Sequence, residues 1–186
     1  MGPGDDLIGG LKRGEAAAFD RAYEQYRSRL YGYLARMARR RELAEDLLQE
    51  TWLRLAQHAS QLDDDTDLGA WLFTVARNLF LSHVRSAMTG ADRLHTMSFW
   101  ESQATYTTPF DLTSANETQQ RLELALLELP IDYREVLVLV VIEHLEPIAV
   151  ARILGIRPEA VRKRLERART MLAERVGDRP HHGGER

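Results

Sequence analysis

Residues 148–165 read Ile148-Ala149-Val150-Ala151-Arg152-Ile153-Leu154-Gly155-Ile156-Arg157-Pro158-Glu159-Ala160-Val161-Arg162-Lys163-Arg164-Leu165. Their spacing describes two helices joined by a tight turn. Gly155 falls just past the first helix, where a left-handed backbone suits a residue without a Cβ. Pro158 falls at the first position of the second helix, where its missing N–H costs nothing. Ala151 is small where the two helices must cross closely, and Ile156 is expected to plug the turn into the core. Val161, Leu165, Ala168 and Leu172 keep the second helix on that core. Arg162, Glu166 and Arg169 then share an outward face, flanked by Lys163 and Arg167. This is the layout of a helix-turn-helix. Its second helix can enter a major groove, where Arg and Lys reach guanine edges or phosphates and a carboxylate such as Glu166 accepts from a cytosine amino group. A basic run alone is equally the mark of a solvated helix face; the turn chemistry tips the reading towards DNA. Arg157, at the N-cap of the second helix, is a poor capping residue.

Working outward, the same helical grammar holds on both sides. Gln119–Leu129 is a short amphipathic helix stopped by Pro130. The run Val136-Leu137-Val138-Leu139-Val140-Val141-Ile142 has strand propensity, but no other strand pattern offers it a partner, so Asp132–Glu143 is read as a buried helix. Upstream, Phe19, Tyr23, Tyr26, Leu30, Leu34 and Met37 recur at spacings of three and four, giving one apolar stripe. A second stripe runs through Ala44, Leu47, Leu48 and Leu55, and a third through Leu72, Val75, Ala76 and Leu79. The Asp-rich stretch 61–69 between them reads as a loop and a helix start. From Ser86 onward Ser, Thr and isolated aromatics (Phe99, Trp100, Tyr106, Phe110) replace periodic apolar residues. A structureless loop of about 30 residues inside one compact domain is uncommon, so two domains and a linker are expected. The fold class is therefore all-α: an N-terminal helical bundle (1–85), a flexible linker (86–117), a C-terminal helix-turn-helix domain (118–176) and a disordered tail (177–186).

Composition narrows the function. The chain has 186 residues and no cysteine, which excludes disulfides, Cys-ligated metals and a cysteine nucleophile. No stretch approaches a membrane-spanning length of apolar residues, and the N-terminus lacks a secretory pattern, so an intracellular, cytoplasmic protein without membrane insertion is expected. The formal net charge of −3 conceals blocks. Arg36, Arg39, Arg40 and Arg41 form a basic knot, and Glu42, Glu45, Asp46, Glu50, Asp63, Asp64, Asp65 and Asp67 follow it. Residues 157–169 hold six basic groups against Glu159 and Glu166. Blocked charge of this kind fits two different partners.

Taken in order, these segments resemble the extracytoplasmic-function group of bacterial sigma factors. Leu129-Pro130 with Tyr133-Arg134-Glu135-Val136-Leu137 is similar to the opening of that group's second domain. Gly155-Ile156 through Val161-Arg162-Lys163-Arg164-Leu165 and Arg167-Ala168-Arg169 is similar to its −35-reading helix. Ala44-Glu45-Asp46-Leu47-Leu48-Gln49-Glu50-Thr51-Trp52-Leu53-Arg54-Leu55 resembles the segment that docks on RNA polymerase, and Trp71-Leu72-Phe73-Thr74-Val75-Ala76-Arg77-Asn78 resembles the promoter-melting helix. The resemblance spans both helical domains, from about Phe19 to Leu172, and fades in the linker. It implies an alternative sigma factor that binds core RNA polymerase and promoter DNA, is monomeric when free, and is held by an anti-sigma protein. No cofactor or metal is implied, and no catalytic residue.

The residues fit those roles physically. Asp46, Gln49 and Glu50 lie on one helical turn beside Leu47, a patch suited to a basic or amide-rich polymerase surface. Trp71, Arg77, Asn78, His83 and Arg85 offer phosphate contacts and polar edges to an unstacked −10 strand, whose flipped bases must be held in a pocket. The resemblance places that pocket at residues 61–69 and the following helix. Trp71 is equally compatible with plain core packing, and Asp63, Asp64, Asp65 and Asp67 with a solvated loop that caps a helix. The −35 set is Arg162, Lys163, Glu166 and Arg167. Two places depart from the group's pattern: His144-Leu145-Glu146-Pro147 replaces the usual Gly and Ser cap, and Ser82 stands where an acidic residue is common. Altered promoter preference is expected from them.

Other classes fit less well. The Asp cluster as a metal-dependent nuclease site lacks a second ligand cluster or base, and no His pair has zinc spacing. A helix-turn-helix repressor or a sigma-like decoy for an anti-sigma protein stays open. A repressor should dimerise on a palindrome, and a decoy should have lost the basic face that this chain keeps.

Overall fold

The computed structural model describes residues 6–89 and 117–177. They fall in two compact units. The linker aromatics and the tail lie outside the described residues.

The first unit comprises α1 (Leu7–Lys12), α2 (Ala16–Ala38), α3 (Arg41–His58), a single 3₁₀ turn (Ala59–Gln61) and α4 (Leu68–Thr89). Helices α2, α3 and α4 pack against one another around Leu30, Tyr33, Leu34, Leu55, Leu72 and Phe73, all fully buried. Tyr33 and Phe73 meet edge to face, with centroids 5.6 Å apart, the geometry the ring quadrupoles favour. The second and third apolar stripes sit largely in this core, as the periodicity expects. The first does so only from Leu30 onward. Over its initial turns α2 is covered by α1, and that contact is made by small residues. Ala18 and Ala22 are fully buried, and a Cβ at Gly10 would lie 2.8 Å from the Ala18 Cβ. Tyr23 is therefore turned outward, 39% exposed, and leans on Trp52 at 5.1 Å.

The basic knot does not survive as one patch. Arg36 is buried and donates from Nη1 to the Gly32 carbonyl at 3.2 Å, while Arg41 pairs with Glu45. Helix α4 continues past Arg85 to Thr89, into the stretch read as linker from composition.

The second unit comprises α5 (Glu117–Leu127), α6 (Ile131–Leu137) with a π-helical turn over Val138–Ile142, α7 (Pro147–Leu154) and α8 (Pro158–Gly177). The seven-residue apolar run is helical, and no strand occurs among the described residues. Its last turn widens: the Glu143 N–H donates to the Val138 carbonyl at 2.9 Å, an i,i+5 bond. Val136, Leu137, Val138 and Leu139 are buried, whereas Val141 is 40% exposed.

The turn between α7 and α8 follows the chemistry expected of it. Gly155 has φ 66°, in the left-handed region, and the Ile156 N–H donates to the Ala151 carbonyl at 3.0 Å to close the helix end. Pro158 opens α8, and Val161 and Ala168 are fully buried beneath it. At the far end the Arg121 Nη2 of α5 donates to the Val176 carbonyl at 2.8 Å, giving the C-terminus of α8 a cationic cap.

Candidate nucleic-acid interface

Helix α8 is held by its buried stripe, so its opposite side is fixed towards solvent. At about 100° per residue, Arg162, Lys163, Glu166 and Arg167 occupy one outward arc, and all four are exposed. None is tied up in an ion pair among the described residues. Arg164, which follows Lys163 in sequence, is turned towards α6 and stands 3.7 Å from Asp132. The structure thus brings the −35 candidates together as a group of three cations around one carboxylate, with donors and an acceptor free for base edges or phosphates. Arg157 is exposed and supplies only its carbonyl to the start of α8, accepting from the Ala160 N–H at 2.9 Å.

The −10 candidates divide. Trp71, Asn78 and Arg85 recur at intervals of seven on α4, which places them along one stripe. Arg77 lies about 100° round the helix from Asn78 and is half-buried. His83 lies about 120° round the helix from Trp71, exposed beyond the end of the packed core. Trp71 is half-buried, so neither pure core packing nor a free ring describes it. Before α4, Asp67 behaves as a cap: its Oδ1 accepts the Ala70 N–H at 3.0 Å. Asp64 is engaged differently, in an ion pair with Lys12 of α1. Hydrogen bonding and charge from Lys12 hold the Asp64 carboxyl below the usual carboxylate range. Behind the loop, burial pushes the Tyr26 phenol up from its ordinary value, with Asp67 adding and Arg29 opposing. Among the described residues no three His, Asp or Glu side chains gather to hold a metal ion.

On α3, Asp46 and Gln49 are exposed and Glu50 is half-buried, its carboxylate accepting the Arg54 Nε–H at 2.8 Å. Leu53 stands on the same face, 51% exposed, and sequence reasoning passed over it. The signal was available: Leu53 is seven residues after Asp46 and four after Gln49, off the stripe of Ala44, Leu47, Thr51 and Leu55 that is buried. Among the described residues no helix is long and apolar enough to cross a membrane.

Family models for Sigma-70 region 2 and Sigma-70 region 4 match residues 22–89 and 119–172. The chain is 31% identical to the RNA polymerase sigma factor CarQ of Myxococcus xanthus, covering 90% of this chain and 94% of that one. It is 33% identical to the ECF RNA polymerase sigma factor SigM of Bacillus subtilis, over 82% and 91%. Its fold is similar to that of the sigma factor RpoE from Bartonella quintana, solved with the anti-sigma factor NepR, with a TM-score of 0.68, 24% identity, and 87% and 98% of the chains covered. With both regions matched in order, and full-length relatives alike in sequence, the chain belongs to the extracytoplasmic-function group of bacterial RNA polymerase sigma factors.

Proposed function

We propose that promoter recognition by this alternative sigma factor is divided between its two units as follows. The N-terminal unit, taken as residues 1–85, docks on core RNA polymerase through Asp46, Gln49 and Glu50, with Leu53 as the apolar centre of that face. Trp71, Arg77, Asn78 and Arg85 contact the melted −10 strand, with His83 at the helix end, and residues 61–69 receive its flipped bases. The C-terminal unit, residues 118–176, reads the −35 element as duplex through Arg162, Lys163, Glu166 and Arg167. The protein acts in the cytoplasm as a monomer, has no catalytic role of its own, and is held inactive by an anti-sigma partner until a signal releases it.

The observation that carries this division is the unpaired outward face of α8, set by a buried stripe and a left-handed Gly155 turn. Base-reading groups that are already free need no internal contacts broken before they meet DNA.

Run-off transcription with core polymerase on a library of promoter fragments tests the reading. Specific initiation that requires the protein is expected, and the enriched fragments supply the −35 and −10 sequences. No initiation, together with failure to co-elute with core polymerase, would return the repressor and decoy readings.

A further inference from the structure

Helix α1 has no part in the division of labour above, yet it touches the loop on which −10 recognition depends. It packs on α2 and on the 3₁₀ turn that leads into that loop, with Leu11 fully buried. The loop's ends are anchored, since Ala59, Leu62 and Leu68 are buried. Between them, Asp63, Asp64 and Asp65 are exposed, and the ion pair from Lys12 ties Asp64 to α1. The two partners are 52 residues apart. Nearer α4, Asp67 is committed to the Ala70 N–H, and Gly69 lies against the Tyr26 ring, where a Cβ would approach Cε1 to 3.1 Å.

We infer that Lys12 is a positioning residue for promoter discrimination: from α1 it fixes the middle of the loop at residues 61–69 and offsets one of its four carboxylates. The inference rests on the assignment of the −10 strand to this loop. A loop with four Asp residues repels a phosphate backbone and repels itself. One cation supplied by a packed helix reduces both effects at a set point. The contact is at the surface, so its worth in global stability is small. Its effect is on where the loop stands when a base enters, and a displacement of about 1 Å is enough to matter in such a site.

The test uses the full chain as holoenzyme with core polymerase, and compares Lys12→Glu, Asp64→Lys, the double charge swap, and Lys12→Arg. Two readouts are taken. The first is amide hydrogen exchange of residues 62–67 in the free protein; the second is the ratio of run-off product from a promoter and from its −10 variants. Each single reversal is expected to speed loop exchange and to lower −10 discrimination by about two- to fivefold, without moving −35 discrimination. The swap and Lys12→Arg are expected to restore both. Reversals that leave −10 discrimination unchanged while the wild type discriminates would overturn the inference, whatever the exchange shows. So would single effects that the swap fails to repair, because those belong to each charge separately. If wild-type holoenzyme initiates nowhere, the sigma-factor division itself fails and this inference falls with it.

Discussion

His144 occupies a backbone conformation that glycine suits better. Its φ is 53°, and it stands just before α7. A side chain with a Cβ in the left-handed region costs about 1–2 kcal/mol, part of which glycine gives back through a freer unfolded chain. His144→Gly should therefore raise stability by about 0.5–1 kcal/mol, seen as a higher denaturant midpoint at unchanged slope. At Arg162 the question is chemistry rather than strain. If its guanidinium makes a bidentate contact with a base edge, Arg162→Ala should cost about 1–3 kcal/mol of −35 discrimination. That is read by run-off from matched and mismatched −35 elements. Weaker transcription spread evenly over all elements would make Arg162 a phosphate contact instead.

Helix α4 begins with a side-chain cap whose removal is measurable. Asp67→Ala should destabilise the protein by about 1 kcal/mol, while Asp67→Asn should keep most of that stability, since Asn caps nearly as well. Thermal melting of the three proteins decides it. In the second unit, Arg121→Ala removes a partly buried cationic cap from α8 and should cost about 1–2 kcal/mol. How far such elements could be read from sequence followed how local their causes are. Gly155 and Pro158 announced the turn because each residue's own backbone chemistry specifies its place. The buried stripes of α3 and α4 announced themselves through spacing. The outward arc of Arg162, Lys163, Glu166 and Arg167 could be read for the same reason. Helix α1 could not be: Leu7–Lys12 contains Gly9 and Gly10, poor helix formers, and it is held by the Asp6 cap and by the close packing of Gly10 on Ala18. The outward turn of Tyr23 depends on that same packing. The π-helical turn at Val138–Ile142 is likewise invisible to a period of 3.6.

Across the whole chain the charges set a division between attraction and address. The net charge is −3, so a polyanion is not drawn to the protein as a body. Among the described residues the α8 face, with Arg162, Lys163 and Arg167 and no ion pair, offers it concentrated positive charge, while Asp46, Glu50 and the Asp loop oppose it. A protein built this way needs polymerase to supply most of the phosphate contacts. The free chain should bind promoter duplex no more tightly than about 10⁻⁶ M at physiological salt, the range of non-specific binding, whereas the holoenzyme should protect −35 and −10 together in a footprint. Within the holoenzyme, Arg167→Ala should weaken binding to all promoters alike. It should also lower the slope of log K against log salt by about 0.9 if Arg167 neutralises one phosphate. Titrating wild type and variant from about 50 to 200 mM salt measures that slope. An unchanged slope with altered −35 preference would move Arg167 to the base edges. Tight binding of the free chain as a dimer on a palindrome would instead restore the repressor reading, because self-sufficient affinity is what this charge distribution withholds.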